Sequence, residues 1–230
     1  MHVLFSRDCV YGVSESLLSL MKKRLLFLFL IMISCSVTWA TPVYETMWSG
    51  ILHRRVSTGN RQGIDTTLFR YESLKQDSSF KLVLQEIEAI DLSQFKKPEE
   101  SKAFWINVYN IAAIKMVSDV YPIRQLVDRG SFFQSVFDMP AIVVDHKTYT
   151  LRQLSTLLLD YKDARVPFAL CTTALSSPDL GVEAYRFVKL DRQLDAAVKQ
   201  FRANPTKRLL LEEPGSRSVP FNWRLNDGAL

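Results

Sequence analysis

The pattern of apolar and polar residues predicts a mostly helical chain with one buried helix at its centre. Residues 103–120 are apolar with few interruptions, and a helix that is apolar on most faces is buried. Pro98 and the two glutamates behind it suit the first turn of this helix, and Tyr121-Pro122 ends it. Helices with apolar residues on their inner face are predicted for residues 44–55, 79–90, 151–159 and 193–202.

Strand signals are few. Residues 141–150 read as an apolar strand, a tight polar turn and a short return strand. Residues 57–63 are predicted as a polar loop, residues 69–74 as a short segment that could be extended, and residues 166–172 as either strand or buried helix. We therefore predict an α+β fold: a mainly helical single domain around the helix at 98–120, with a small β-hairpin or sheet. The mixed composition from about residue 205 predicts a surface tail.

The N-terminal region has the order of a secretory signal. A basic start at residues 21–24 is followed by an apolar run over 25–33 and by smaller residues up to Ala40. We expect cleavage after Ala40, which would make the protein periplasmic or secreted. Residues 1–20 look like neither signal nor core, so we expect that translation begins at Met21 and that the first twenty residues are a start-site error. Residues 41–230 then form the single domain.

A second route of export is open at the end of the apolar run. Met32-Ile33-Ser34-Cys35 resembles a bacterial lipobox, in which Cys35 would be lipidated and become the new N-terminus. Met32 is a poor match to the leucine of the best such boxes. Both routes lead out of the cytoplasm, and the membrane is a partner only if Cys35 carries lipid.

Charge and composition exclude several classes of function. The formal net charge of +5 comes from basic residues that are scattered rather than striped, which gives little support for nucleic-acid binding. Cleavage after Ala40 would remove Cys9 and Cys35, so Cys171 would have no intramolecular disulfide partner. No ligand-like spacing and no glycine-rich phosphate loop is present in the sequence. We expect no metal and no cofactor.

Two amides inside the central helix are the main candidates for a polar site. Asn107 and Asn110 share one face of the helix among aromatic residues. A buried amide without its hydrogen bonds costs about 1–3 kcal/mol, so both need partners. The backbone of residues 166–177 could supply them, and Arg165 could join. The candidates for this core polar network, or alternatively for the lining of a pocket, are Trp105, Asn107, Tyr109, Asn110 and Arg165.

Three blocks of the sequence resemble one known family. They are Ala103-Phe104-Trp105-Ile106-Asn107-Val108-Tyr109-Asn110 with Lys115 and Tyr121-Pro122; Asp163 to Leu170 with Ser176-Ser177-Pro178, Leu180 and Glu183-Ala184-Tyr185; and Leu190-Asp191, Gln193-Leu194 and Phe201. Together they resemble the domain-of-unknown-function 547 family (DUF547) over roughly residues 44–201. The resemblance gives a fold more readily than a function.

The chain departs from the family's pattern where chemistry is expected. Ser177 stands where the family usually has the cysteine of Ser-Cys-Pro, and Pro167 stands where it usually has histidine. Leu154-Ser155-Thr156 replaces a common Ile-Glu-His triplet, and Arg70 replaces the acidic residue before a tyrosine. Together with the export signal, these departures favour an exported protein without catalysis, which binds a small ligand or a protein partner in the cell envelope.

Two side chains keep an enzymatic alternative open. Ser177 is either a loop serine before proline or the nucleophile of a hydrolase or transferase with a remote base. Cys171 lies in an apolar run, where a free cysteine is either an inert small hydrophobe or a reactive or partner-bonding thiol. A third possibility is a structural envelope protein tethered through Cys35.

Overall fold

The computed structural model describes residues 42–122 and 135–207. The helices in these ranges are α1 (Val43–Arg55), α2 (Ser78–Glu88), α3 (Pro98–Ser118), α4 (Leu151–Leu159) and α5 (Leu190–Ala203). The strands form two antiparallel hairpins, β1 (Val56–Arg61) with β2 (Ile64–Phe69) and β3 (Pro140–Val144) with β4 (Lys147–Thr150). This architecture confirms the predicted mainly helical α+β fold.

Helix α3 is the centre of the hydrophobic core. Every residue from 103 to 114 is buried, as expected for a helix that is apolar on most faces. The ring of Phe104 meets that of Tyr44 on α1 edge-on at a centroid distance of 5.6 Å. Trp105 contacts Tyr149 of β4 at 5.3 Å. The N-terminal helix and the second hairpin therefore pack on the same central helix.

Two helices begin where side chains satisfy their free backbone N–H groups. The Glu100 carboxylate accepts hydrogen bonds from the backbone N–H groups of Lys96 and Lys97 at the start of α3, at 3.0 and 3.3 Å. Asp77 accepts from the N–H of Ser79 at 2.9 Å and so caps α2. These caps place the starts of α2 and α3 close to the positions that the sequence predicts.

The second hairpin and the helix after it also confirm the prediction. Asp145 and His146 form the turn with φ values of 47° and 57°, the left-handed conformation that two-residue hairpin turns require. Helix α4 follows directly, and its bounds match the predicted residues 151–159. The Thr150 hydroxyl accepts a hydrogen bond from the N–H of Gln153, which fixes where α4 begins.

The first hairpin was not predicted. Residues 57–63, interpreted as a polar loop, instead contain most of β1 and a turn at Gln62 and Gly63, with φ values of 53° and 82°. Most residues of β1 are polar and exposed, so this strand lacks the alternation of apolar and polar residues by which strands are recognised in a sequence. The segment 69–74, which could be extended, belongs to a strand only at Phe69, where β2 ends, and a short 3₁₀ turn begins at Leu74.

The segment after α4 and the C-terminal region differ from the sequence pattern as well. Residues 166–172 form neither a strand nor an α-helix, but a 3₁₀ turn over Val166–Ala169 followed by irregular chain. The predicted surface tail is wrong at Lys207, whose exposed fraction is 1%. The predictions for the start site, the signal and Cys35 fall in residues 1–41, and most of the tail falls in 208–230; both lie outside the described residues. Within 42–122 and 135–207, the helices are too short or too polar to cross a membrane.

Candidate functional site

Asn107 and Asn110 each bind a piece of backbone through both ends of the side-chain amide. The Asn107 amide donates to the carbonyl of Tyr185 at 2.7 Å and accepts from its N–H at 2.8 Å. The Asn110 amide donates to the carbonyl of Ala169 at 2.9 Å and accepts from the N–H of Cys171 at 2.8 Å. Both amides are buried and satisfied, and they attach two irregular segments to α3.

The other members of the candidate network lie apart from these two clamps. Trp105 packs on Phe104 and Tyr149, and Tyr109 is fully buried, which raises the pKa of its hydroxyl. The guanidinium of Arg165 does not join the asparagines, which corrects that expectation. Its hydrogen bonds go instead to three carboxylates, those of Asp163, Asp191 and Asp195.

A cavity of about 280 Å³ lies between β2 and the irregular segment 171–180. Residues 66–69 of β2 form one wall, and Ile114 of α3 reaches it from the core. Cys171 and Ser177, both candidate nucleophiles, are on the opposite wall. The volume lies near the lower end of the range for ligand pockets, about 300–1,000 Å³. The cavity therefore fits a small molecule.

The thiol of Cys171 and the hydroxyl of Ser177 meet on this wall. The two atoms are 3.7 Å apart, and the Ser177 hydroxyl donates to the carbonyl of Ala174 at 2.8 Å. Burial raises the pKa of the Cys171 thiol, and the backbone N–H of Thr173 and the Ser177 hydroxyl offset this only in part. A protonated thiol is a poor nucleophile, because the thiolate is the reactive form.

Among the described residues that line the cavity, Glu72 is the carboxylate, and it already accepts a hydrogen bond from the Tyr121 hydroxyl at 3.1 Å. His53 is exposed on α1 and His146 is exposed in the β3–β4 turn, and neither lines the cavity. The carboxylate nearest to Ser177 along the chain is Asp179, and its hydrogen bonds are already committed. A serine hydroxyl needs a base to become a nucleophile, because its own pKa is far above neutral.

Asp179 and Lys207 form a buried ion pair behind the cavity wall. The Lys207 ammonium donates to the Asp179 carboxylate at 2.7 Å and to the backbone carbonyl of Ser177 at 2.6 Å. The same carboxylate accepts from the Thr66 hydroxyl and from the Thr67 N–H, both at 2.8 Å. The side chains of Lys207 and Asp179 are 0% and 7% exposed. The pair therefore joins β2, the cavity wall and the C-terminal region.

The electrostatics of Asp179 follow from these contacts. Burial alone would raise the pKa of this carboxyl group, but the hydrogen bond and charge of Lys207 and the donors of β2 outweigh it, so the pKa is lowered. Sequence reasoning missed both residues. Asp179 follows the Ser176-Ser177-Pro178 block directly, which was a usable signal, whereas nothing in the sequence around Lys207 indicates burial.

The donor set of the site does not suggest a metal centre. Over residues 42–122 and 135–207, histidine, cysteine, aspartate and glutamate side chains do not gather in threes that could hold an ion.

Comparison with known proteins supports the resemblance seen in the sequence. Residues 92–201 match the model of one protein family, described as "Protein of unknown function, DUF547". The matched span contains both asparagine clamps, Cys171, Ser177 and Asp179, while β2 and Lys207 lie outside it. No curated protein and no solved structure matches the chain.

Proposed function

Residues 92–201 belong to the DUF547 family, whose function is unknown, and from this premise we propose that the protein binds a small molecule in its cavity without catalysing a reaction. One observation carries the proposal: the reactive side chains on the cavity wall are used as structural groups. The Ser177 hydroxyl donates to a backbone carbonyl, and burial keeps the Cys171 thiol protonated. What remains is a partly open site whose walls are held by hydrogen bonds.

The rigidity of those walls suits binding. Asn110 holds the backbone on both sides of Leu170, and the Asp179–Lys207 pair holds Ser177 and β2 together. A cavity whose walls are already in place needs little reorganisation when a ligand enters, so less of the binding free energy is lost to ordering.

We also propose that the protein is exported. The basic, apolar and small-residue order of residues 21–40 supports this, with cleavage after Ala40. Lipidation at Cys35 is the alternative and would tether the protein to the envelope membrane. The intact mass of the protein recovered from its native host separates the two, because one N-terminus is Thr41 and the other is a lipid-modified Cys35.

The absence of catalysis is tested by intact-mass measurement after incubation with a fluorophosphonate, which forms a covalent adduct with activated serines. We expect no adduct on the native protein, because the Ser177 hydroxyl donates to backbone carbonyls, which cannot remove its proton. Ser177→Ala and Ser57→Ala, the latter at an exposed serine on β1, are the matched variants. An adduct on the native protein and on Ser57→Ala, but not on Ser177→Ala, would show that the hydrolase or transferase alternative is right.

A further inference from the structure

The rim of the cavity presents an aromatic ring that is fixed in place. Tyr121 stacks on Tyr71 with ring centroids 5.8 Å apart and planes at 22°, and Tyr71 in turn contacts Phe69 at 5.0 Å. The Tyr121 hydroxyl donates to the Glu72 carboxylate at 3.1 Å, yet the residue remains 37% exposed. A ring held in this way offers contact area to a ligand at little cost in conformational entropy.

The same rim carries a positive charge with no partner in the described ranges. Of the charged residues that line the cavity, Glu72 accepts the Tyr121 hydroxyl and Arg70 donates to the backbone carbonyl of Arg54. The guanidinium of Arg61 makes no hydrogen bond or ion pair with any residue in 42–122 or 135–207, and its charge acts on the hydroxyl of Tyr121. A free guanidinium presents donors in a fixed fork that matches a carboxylate.

The inner wall of the cavity is uncharged. It is formed by apolar side chains, Ile114, Leu175 and Leu180, together with the thiol of Cys171 and the hydroxyl of Ser177. The charges of Asp179 and Lys207 lie behind this wall and pair with each other. A ligand with one negative group at the rim and an apolar body inside would leave no charge buried without a partner.

We propose that the ligand is a small aromatic monoanion, whose carboxylate-like group binds Arg61 at the rim and whose ring enters the cavity with Tyr121 against it. This inference rests on the proposed function, since it names the class of ligand for the same cavity. The stacked tyrosines favour a planar ring over an aliphatic body, because offset ring pairs contribute beyond the area that they bury.

Calorimetric titration of the purified protein with three probes tests the inference. Benzoate carries both features, benzamide has the ring without the charge, and cyclohexanecarboxylate has the charge without the planar ring. We expect benzoate to bind about tenfold more tightly than benzamide, since charge-assisted hydrogen bonds are roughly twice as strong as neutral ones. We expect a similar margin over cyclohexanecarboxylate, since offset ring pairs contribute beyond the area that they bury. Arg61→Gln should weaken benzoate about tenfold and leave benzamide unchanged. Arg192→Gln, at an exposed arginine of α5 outside the cavity, is the matched control.

Each other outcome overturns the inference. Equal affinity for benzoate and benzamide would show that the site does not select a negative charge. Equal affinity for benzoate and cyclohexanecarboxylate would show that it does not select a planar ring. If benzoate at millimolar concentration gives no heat, the site binds no ligand of this class. If benzoate binds but neither Arg61→Gln nor Tyr121→Leu weakens it, benzoate binds at another place. None of these results bears on the proposed absence of catalysis, which fails if the fluorophosphonate labels Ser177 or if Cys171 proves to be an activated thiol.

Discussion

Asp179→Ala is expected to lower the free energy of unfolding by about 3–5 kcal/mol, because it leaves the ammonium of Lys207 buried without a counter-charge. The Lys207 side chain is 0% exposed and donates to the Asp179 carboxylate at 2.7 Å. The substitution also removes the acceptor for the Thr66 hydroxyl and the Thr67 N–H. Urea unfolding followed by circular dichroism measures the change, and we expect a lower midpoint with an unchanged slope.

A double-mutant cycle separates the ion pair from the packing around it. Asp179→Ala with Lys207→Met removes both charges, and we expect it to be more stable than Asp179→Ala alone. Asp138→Ala is the matched control, because Asp138 pairs with Arg152 at the surface, where the side chains are 42% and 53% exposed. Such exposed pairs contribute about 0–1 kcal/mol. If Asp179→Ala were no more destabilising than Asp138→Ala, the ion pair would not hold the cavity wall.

The same ion pair makes part of the stability depend on pH. The pKa of Asp179 is lowered in the folded protein. The ionised carboxylate therefore contributes fully to the free energy of unfolding above the pKa of an aspartate in the unfolded chain, about 3.9. This contribution is lost as the pH falls through the pKa of Asp179 in the folded protein. The stability difference between the native protein and Asp179→Ala should therefore be constant near neutral pH and shrink in acid.

Asn110→Ala is expected to have the second large effect, because it removes an amide that makes two hydrogen bonds to one segment of backbone. The carbonyl of Ala169 and the N–H of Cys171 would each lose a hydrogen bond. A buried group left unsatisfied costs about 1–3 kcal/mol, so we expect a loss of about 2–6 kcal/mol in the free energy of unfolding. Because Cys171 lies on the cavity wall, its alkylation by iodoacetamide should also become faster.

Asn60→Ala is the control for that substitution. Asn60 is exposed and bonds to Asp65 across the β1–β2 hairpin at 2.7 Å. Exposed changes of this kind cost about 0.5 kcal/mol or less. If Asn110→Ala matched Asn60→Ala in both stability and thiol reactivity, the amide clamp would have no part in shaping the cavity.

Local pattern was enough to predict the helices and the second hairpin. The apolar run of α3, the proline at its start and the polar turn at Asp145-His146 are local features, so their positions could be predicted from the sequence. The first hairpin could not be predicted in this way. Its strand β2 is held by Asp179, more than a hundred residues away in sequence, through Thr66 and Thr67.

The site shows the same division between local and distant causes. The sequence indicates that Asn107 and Asn110 need partners, but not that Asn107 binds Tyr185 while Asn110 binds Ala169 and Cys171. Arg165 bonds to Asp163 beside it and to carboxylates of α5, which only the packing of that helix brings within reach. A basic residue in a segment of mixed composition, such as Lys207, normally lies in solvent, and only the fold provides its partner.

We propose that the nucleophilic groups on the cavity wall are not activated, and the pH profile of Cys171 alkylation is the sharpest check of this. The rate of iodoacetamide labelling would be followed by peptide mass mapping, which reads Cys171 separately from the other cysteines. Because burial raises the pKa of this thiol, we predict a midpoint above the ordinary value of about 8.5. A midpoint below about 7.5, as in thiols activated by a neighbouring cation, would show that Cys171 is an activated nucleophile.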